Sequence, residues 1–66
     1  MSVIFTAVDK GCRYFVTADD ENSARVELEK AKKIGQSAVI RLATPEEITR
    51  VRWTIMASGV VQELDG

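Results

Sequence analysis

The 66-residue sequence has no histidine, a single cysteine and a single proline, and its four glycines stand apart from one another. Without histidine the commonest general base is missing, and neither a Ser-His-Asp nor a Cys-His arrangement can form. One cysteine, Cys12, makes neither an internal disulfide nor a zinc site. Isolated glycines do not build a phosphate-binding loop. We therefore expect a protein that is not an enzyme and that holds no metal or cofactor.

Long apolar runs are also absent. No stretch approaches the roughly 18 apolar residues of a membrane span, and the first ten residues lack the basic-then-apolar pattern of a secretion signal. We therefore expect a cytoplasmic protein with no membrane partner. A chain of this length allows one small domain, residues 1–66, which buries only about 60% of its unfolded surface. Its 45% hydrophobic and 29% charged residues are typical of a globular fold.

The first part of the chain predicts a β-hairpin. Residues 1–8 and 12–17 are rich in β-branched and aromatic types, which favour strands. Between them, Asp9-Lys10-Gly11 suits a three-residue loop that ends on a left-handed glycine. In that register Phe5 lies opposite Phe15, and both faces of the hairpin carry apolar side chains. The pattern leaves open which face is the core.

Two helices and two further strands are expected after the hairpin. Apolar residues recur at helical spacing up to Gly35, where a left-handed C-terminal cap belongs. The segment Thr44-Pro45-Glu46-Glu47 is the clearest local signal, because it combines an N-cap, a proline at the first helical position and a capping box. The predicted elements are a helix over 20–34, a strand over 37–43, a helix that ends at Ser58-Gly59, and a strand over 60–64.

This order, β-β-α-β-α-β, predicts an α+β fold: a two-layer sandwich in which both helices lie on one face of a mixed sheet. The hairpin makes the first two strands antiparallel. Helix-containing crossovers would make the second, third and fourth strands parallel to one another.

The predicted strand directions separate the charges. Both helices would begin at one end of the sheet, and a parallel last strand would end there too. Seven of the ten acidic residues would then meet at that end: Asp19, Asp20, Glu21, Glu46, Glu47, Glu63 and Asp65. The opposite end would collect basic residues: Lys10, Arg13, Lys30, Lys32 and Lys33. Helix dipoles favour part of this distribution, but Glu63 and Asp65 near the end of the chain cap no helix. The acidic end is therefore a candidate partner-binding edge.

Apolar residues left outside the core supply a second candidate contact. A two-layer fold leaves one sheet face open, which suggests a weak homodimer through Phe5 and Phe15, or through Ile4 and Tyr14. On the second helix, Ile48, Val51 and Ile55 form the predicted inward stripe. Trp53 and Met56 lie away from it. They form either an interface anchor or the edge of the core.

The chain resembles small phage-encoded accessory proteins, among them anti-CRISPR proteins. The resemblance lies in its short length, compact α/β elements, lack of motifs and uneven charge. The resemblance implies a non-enzymatic inhibitor that occupies a basic nucleic-acid-binding surface of a larger protein partner. The alternative function is a small regulator that binds nucleic-acid phosphates through the lysine- and arginine-rich end. A sequence pI near 5.3 makes direct binding of nucleic acid the less favoured of the two.

Overall fold

A computed structural model describes residues 2–35 and 37–64. The element order is the predicted one, and the α+β class is confirmed. The elements are β1 (Val3–Asp9), β2 (Cys12–Ala18), α1 (Glu21–Lys30), β3 (Val39–Leu42), α2 (Pro45–Ser58) and β4 (Val60–Leu64).

The four strands form one sheet in the order β3-β1-β2-β4, and every neighbouring pair is antiparallel. The prediction of a mixed sheet is therefore wrong. The prediction assumed that each helix returns the chain to the opposite end of the sheet, so that the strand after the helix runs parallel to the strand before it. Instead α2 joins the two edge strands across the sheet: β3 ends beside Ile4, and β4 begins beside Val16, at the same end of the sheet. Fourteen helical residues span about 21 Å, enough to cross three strand spacings of about 4.8 Å.

The hairpin turn has two residues, Lys10 and Gly11, rather than the three expected. Both have positive φ, of 52° and 76°, as a type I′ turn requires. Asp9 therefore pairs with Cys12. Because side chains alternate, this one-residue change in register turns every β2 side chain to the other face relative to β1.

The two helices lie on opposite faces of the sheet. One face packs against α1 through a cluster that includes Phe5, Tyr14 and Leu28; we call it the α1 face. The other, the α2 face, packs Phe15 against two residues of α2. The prediction of two layers with both helices on one face is thus wrong, because β2 is apolar on both sides and each side takes a helix. The open sheet face that the homodimer hypothesis required is covered in the described residues.

Helix α1 ends at Lys30, earlier than predicted. Its C-terminus is a Schellman motif, in which the Lys33 amide donates to the Leu28 carbonyl and the Lys32 amide to the Glu29 carbonyl, both at 3.0 Å. Lys32 occupies the left-handed position, with φ of 58°, that glycine usually fills. Gly35 is not the cap; its amide instead donates to Asp9 at 2.9 Å.

Lys32→Gly is expected to raise the free energy of unfolding by about 0.5–1 kcal/mol, because a side chain at left-handed φ is strained and glycine is not. Lys10→Asn should give a similar gain, since asparagine suits the first position of a type I′ turn. Urea unfolding would show a higher midpoint with an unchanged slope. Lys33→Gly is the matched control: its φ is not positive, so a midpoint that rises equally would contradict the explanation.

Candidate protein-binding surface

Helix α2 is fixed at both ends by local sequence. At its start the Glu47 amide donates to Thr44 Oγ1 at 3.2 Å and the Thr44 amide donates to Glu47 Oε1 at 2.9 Å, which is the predicted capping box. At its end Gly59 takes the left-handed conformation, with φ of 82°. The capping box and the end of the helix at Ser58-Gly59 were both expected from the sequence. The helix therefore presents its side chains in a defined orientation.

The inward side of α2 determines what its outer side presents. Val51 and Ile55 are buried against Phe15. With 3.6 residues per turn, Trp53 lies about 160° around the helix from each of them, so it points away from the sheet. Its side chain does not fold over the helix edge to close the core.

The outer side of α2 exposes two large apolar side chains. Trp53 is 77% exposed and Met56, one turn further on, is 72% exposed. The guanidinium carbon of Arg52 lies 5.9 Å from the Trp53 ring centroid, within the range of a cation–π contact. We call Trp53, Met56 and Arg52 the α2 outer surface. Exposed Trp and Met side chains beside arginine match the composition of interface anchors.

Glu47, predicted to contact a partner, is bound inside the protein. It is only 5% exposed and lies on the α2 face of the sheet. Arg41 binds it bidentately at 2.9 and 3.1 Å, and Arg13 donates to it at 3.1 Å. Thr6 donates through its hydroxyl at 3.3 Å. The Glu47 carboxylate therefore joins β1, β2, β3 and α2, and its role is structural.

These donors determine the protonation of Glu47. Hydrogen bonds from Arg41 lower its pKa most, and the bonds at Thr44 lower it further, while burial acts in the opposite direction. The net effect lowers the pKa of Glu47 from 4.5 to about 2. The same contact raises the pKa of Arg41. The carboxylate is thus charged at any neutral or mildly acidic pH.

The predicted acidic end is only partly assembled. Asp19, Asp20 and Glu21 follow β2, and Glu46 is exposed at the start of α2, all at the end of the sheet away from the hairpin. Glu63 is not there. Because β4 is antiparallel to β2, Glu63 pairs in register with Arg13 near the hairpin.

Three of these acids also bind other residues of the chain. Asp19 accepts from the Ser2 hydroxyl at 3.4 Å. Asp20 caps α1 by accepting from the Ser23 amide at 2.7 Å, which lowers the pKa of Asp20. Glu63 binds Arg50 at 2.8 and 3.1 Å. Asp65 lies outside the described residues. Exposed carboxylates with no such role in the described contacts remain at Glu21 and Glu46.

The basic residues of the alternative hypothesis do collect at the hairpin end. Lys10 is in the turn, and the Gly35–Asp9 hydrogen bond brings the end of α1 to the same place. The exposed lysines there are Lys10, Lys30, Lys32 and Lys33. Arg13 differs, because its guanidinium is directed to Glu47. The end is positive, but its one arginine contacts a buried carboxylate.

Sequence reasoning missed Arg41 and Thr6 as partners of Glu47. The signal was present but weak: Arg41 is the one charged residue in the apolar segment 37–43, and an arginine favours a carboxylate partner. The predicted helix placement supplied no such anion. To pair Arg41 with Glu47, one would have had to know that α2 packs on the face of the sheet that carries Arg41.

Other possible sites carry less chemistry. A cleft of about 490 Å³ lies between the start of α1 and the end of α2, lined among others by Asp19, Ser23 and Ser58. Within residues 2–35 and 37–64, no three His, Cys, Asp or Glu side chains are grouped as a metal site. In that same part of the chain no helix has the length and apolar character needed to span a membrane.

No protein-family model matches the chain, and comparison with curated proteins and with solved structures finds no significant similarity.

Proposed function

We propose that this protein is a non-enzymatic protein-binding module whose contact surface is the α2 outer surface. The observation that supports this most directly is the exposure of Trp53 and Met56 on a helix that is capped at both ends. An indole held away from its own core loses the stabilisation of burial, roughly 2 kcal/mol or more. A partner groove that accepts it supplies that stabilisation.

The expected binding mode is a helix in a groove. Thr49, Trp53 and Met56 follow the spacing i, i+4, i+7 along the exposed side of α2, as in helices that bind apolar grooves. Because α2 is already folded and capped, little conformational entropy is lost when it binds. The partner is therefore a larger protein with an apolar groove.

The inhibitor hypothesis adds that this partner carries a basic nucleic-acid-binding surface. Support for that addition is limited to the exposed acids at one end of the sheet, Asp19, Glu21 and Glu46. Charge complementarity of this kind acts chiefly on the association rate. Reversing the three acids to lysine should slow association if the partner is basic and leave the rate unchanged if it is not.

Trp53→Ala is expected to weaken binding to the partner by at least about 30-fold, as loss of a desolvated aromatic anchor does, mainly through faster dissociation. A photo-crosslinking residue at position 56 would capture the partner, and purified proteins would then give the dissociation constants. Val26→Ala is the matched control, because Val26 is an exposed apolar residue on the other helix. Its effect should stay within about twofold.

The chain has a single tryptophan, so its fluorescence reports this surface directly. Trp53 should emit as a water-exposed indole in the free protein and shift to the blue on binding. An unchanged emission in a formed complex, or equal losses from Trp53→Ala and Val26→Ala, would contradict the proposal. Tight, salt-dependent nucleic-acid binding that Lys30→Glu abolishes would favour the regulator instead.

A further inference from the structure

Strand β4 forms one edge of the sheet, and hairpin geometry shows which of its backbone groups face outward. Asp9 and Cys12 close the two-residue turn as a hydrogen-bonded pair. Bonded and non-bonded pairs alternate along an antiparallel ladder. In β2, therefore, Cys12 and every second residue after it direct their backbone groups towards β1. The residues between them, which include Phe15, direct theirs towards β4. Phe15 pairs there with Val61, so the Val61 N–H and C=O face inward.

It follows that Val60, Gln62 and Leu64 direct their N–H and C=O groups away from the sheet. The position of Ser58 agrees with this: its hydroxyl donates to the Val60 carbonyl at 2.9 Å. That carbonyl keeps a second lone pair. Among the described residues, no hydrogen bond is made to the outward backbone groups of Gln62 or Leu64.

The other edge, β3, is more heavily occupied by side chains, because two carbonyls along it accept from arginines whereas one carbonyl of β4 accepts from a small hydroxyl. Arg25 donates to the Ala38 carbonyl at 2.9 Å, and Arg41 donates to the Leu42 carbonyl at 3.0 Å. Covering an edge in this way discourages pairing with another strand. Strand β4 contains neither lysine nor proline, the usual blocking residues. The two edges thus differ, and β4 is the one suited to pairing.

We propose that β4 pairs antiparallel with β4 of a second copy of this chain, about a two-fold axis beside Gln62, so that one sheet continues across both molecules. In this register Gln62 faces Gln62 of the other copy, and Val60 faces Leu64. Each facing pair consists of outward groups on both sides and can exchange both backbone hydrogen bonds. The two sheets also join with matching faces. The α1 helices of both copies therefore lie on one side of the continuous sheet, and the α2 helices lie on the other.

The side chains of β4 suit this register. Leu64 is 87% exposed, whereas Val60 is half-buried at the margin of the α1-face core. Pairing places Leu64 of each copy on Val60 of the other. Helix α1 packs on β2 and β3 and leaves that side of β4 uncovered. The pairing therefore extends an existing apolar cluster.

Charge does not oppose the pairing. Glu63 is the one charged residue within β4, and Arg50 binds it through two nitrogens. About an axis at Gln62, Glu63 faces Val61 of the other copy rather than another carboxylate, so no like charges are directly opposed. The contact involves one short strand from each copy, so a weak dimer is expected, with a dissociation constant of about 10 µM–1 mM.

Sedimentation over a concentration series tests the dimer. At the upper end, about 1 mM, at least about half of the wild-type chains should be dimeric. Gln62→Pro removes an outward N–H but no hydrogen bond of the β2–β4 ladder, so it should remain folded by circular dichroism and stay monomeric throughout. Leu42→Ser, at an exposed apolar position of the opposite edge, is the matched control and should dimerise normally. A monomeric wild type at 1 mM, or monomers from Leu42→Ser, would overturn the proposal.

Disulfide trapping tests the register without relying on a proline variant. In a Cys12→Ser background, Gln62→Cys should form an intermolecular disulfide, since facing Cα atoms of a bonded pair lie about 5.5 Å apart. Leu42→Cys in the same background should not. Val60→Cys and Leu64→Cys should cross-link when mixed far more than either does alone. Stronger trapping through Leu42→Cys would refute the β4 edge. Trp53→Ala should leave dimerisation unchanged, which separates this proposal from the proposed function.

Discussion

Replacing Glu47 with alanine is expected to lower the free energy of unfolding by about 2–4 kcal/mol. The substitution leaves the guanidinium groups of Arg41 and Arg13 without their shared anion, and the Thr44 amide without its capping partner. Both arginines remain partly exposed to water, so the loss falls short of that for a fully enclosed pair. For a 66-residue domain with a total stability of about 3–10 kcal/mol, this is a large fraction.

Urea unfolding would measure the change. Glu46→Ala is the matched control: Glu46 is the adjacent acid in the same helical turn, but it is exposed, and its loss should cost less than about 1 kcal/mol. Glu47→Gln should fall between the two, because an amide oxygen still accepts from Arg41 or Thr44 while the charge is lost. If Glu46→Ala and Glu47→Ala destabilise equally, the contacts of Glu47 are not what holds α2 to the sheet.

Acid should destabilise the protein by up to about 3 kcal/mol through the same carboxylate. The folded-state pKa of Glu47 is about 2, below its ordinary value of 4.5. A group whose pKa is lowered by folding contributes stability that is complete above the unfolded pKa and is lost as the pH falls towards the folded one. The loss should therefore begin below about pH 5 and continue to about pH 2.

Unfolding curves measured between pH 7 and pH 2 would show this dependence. The Glu47→Gln variant lacks the titrating group, so its stability should fall much less over that range, leaving the smaller contribution of Asp20. Parallel pH profiles for the wild type and Glu47→Gln would contradict the assignment. High salt should weaken the effect only slightly, since Glu47 is buried and screening acts mainly on exposed charges.

Local signals in this sequence predicted local structure well. The capping box at Thr44, the end of α2 at Gly59 and the order of all six elements follow from residues close together in the chain. The hairpin was predicted, but its register was not, because Lys10 takes a left-handed conformation that a lysine seldom adopts. This register difference of one residue places every β2 side chain on the face of the sheet opposite to the predicted one.

Long-range arrangement was harder to predict for a physical reason. Alternating apolar residues on both sides of β2 are compatible with one helix layer or with two, and the choice depends on the direction in which α2 crosses the sheet. That direction also decided the acidic end: it moved Glu63 to the hairpin and turned Glu47 inward to Arg41. The exposure of Trp53 followed from helical spacing once Val51 and Ile55 were known to face inward.

The crossing of α2 from one edge strand to the other also affects the order in which the protein assembles. The β1–β2 pairing joins neighbours in sequence, whereas β4 meets β2 only after more than forty intervening residues, and that loop closure costs entropy. The α2-face cluster is the smaller of the two. We therefore expect residues 45–64 to join the sheet after the β1–β2 hairpin has formed, and hydrogen exchange during refolding should show their amides protected later than those of the hairpin. Both proposed contacts thus lie on the segment that is expected to complete the fold last.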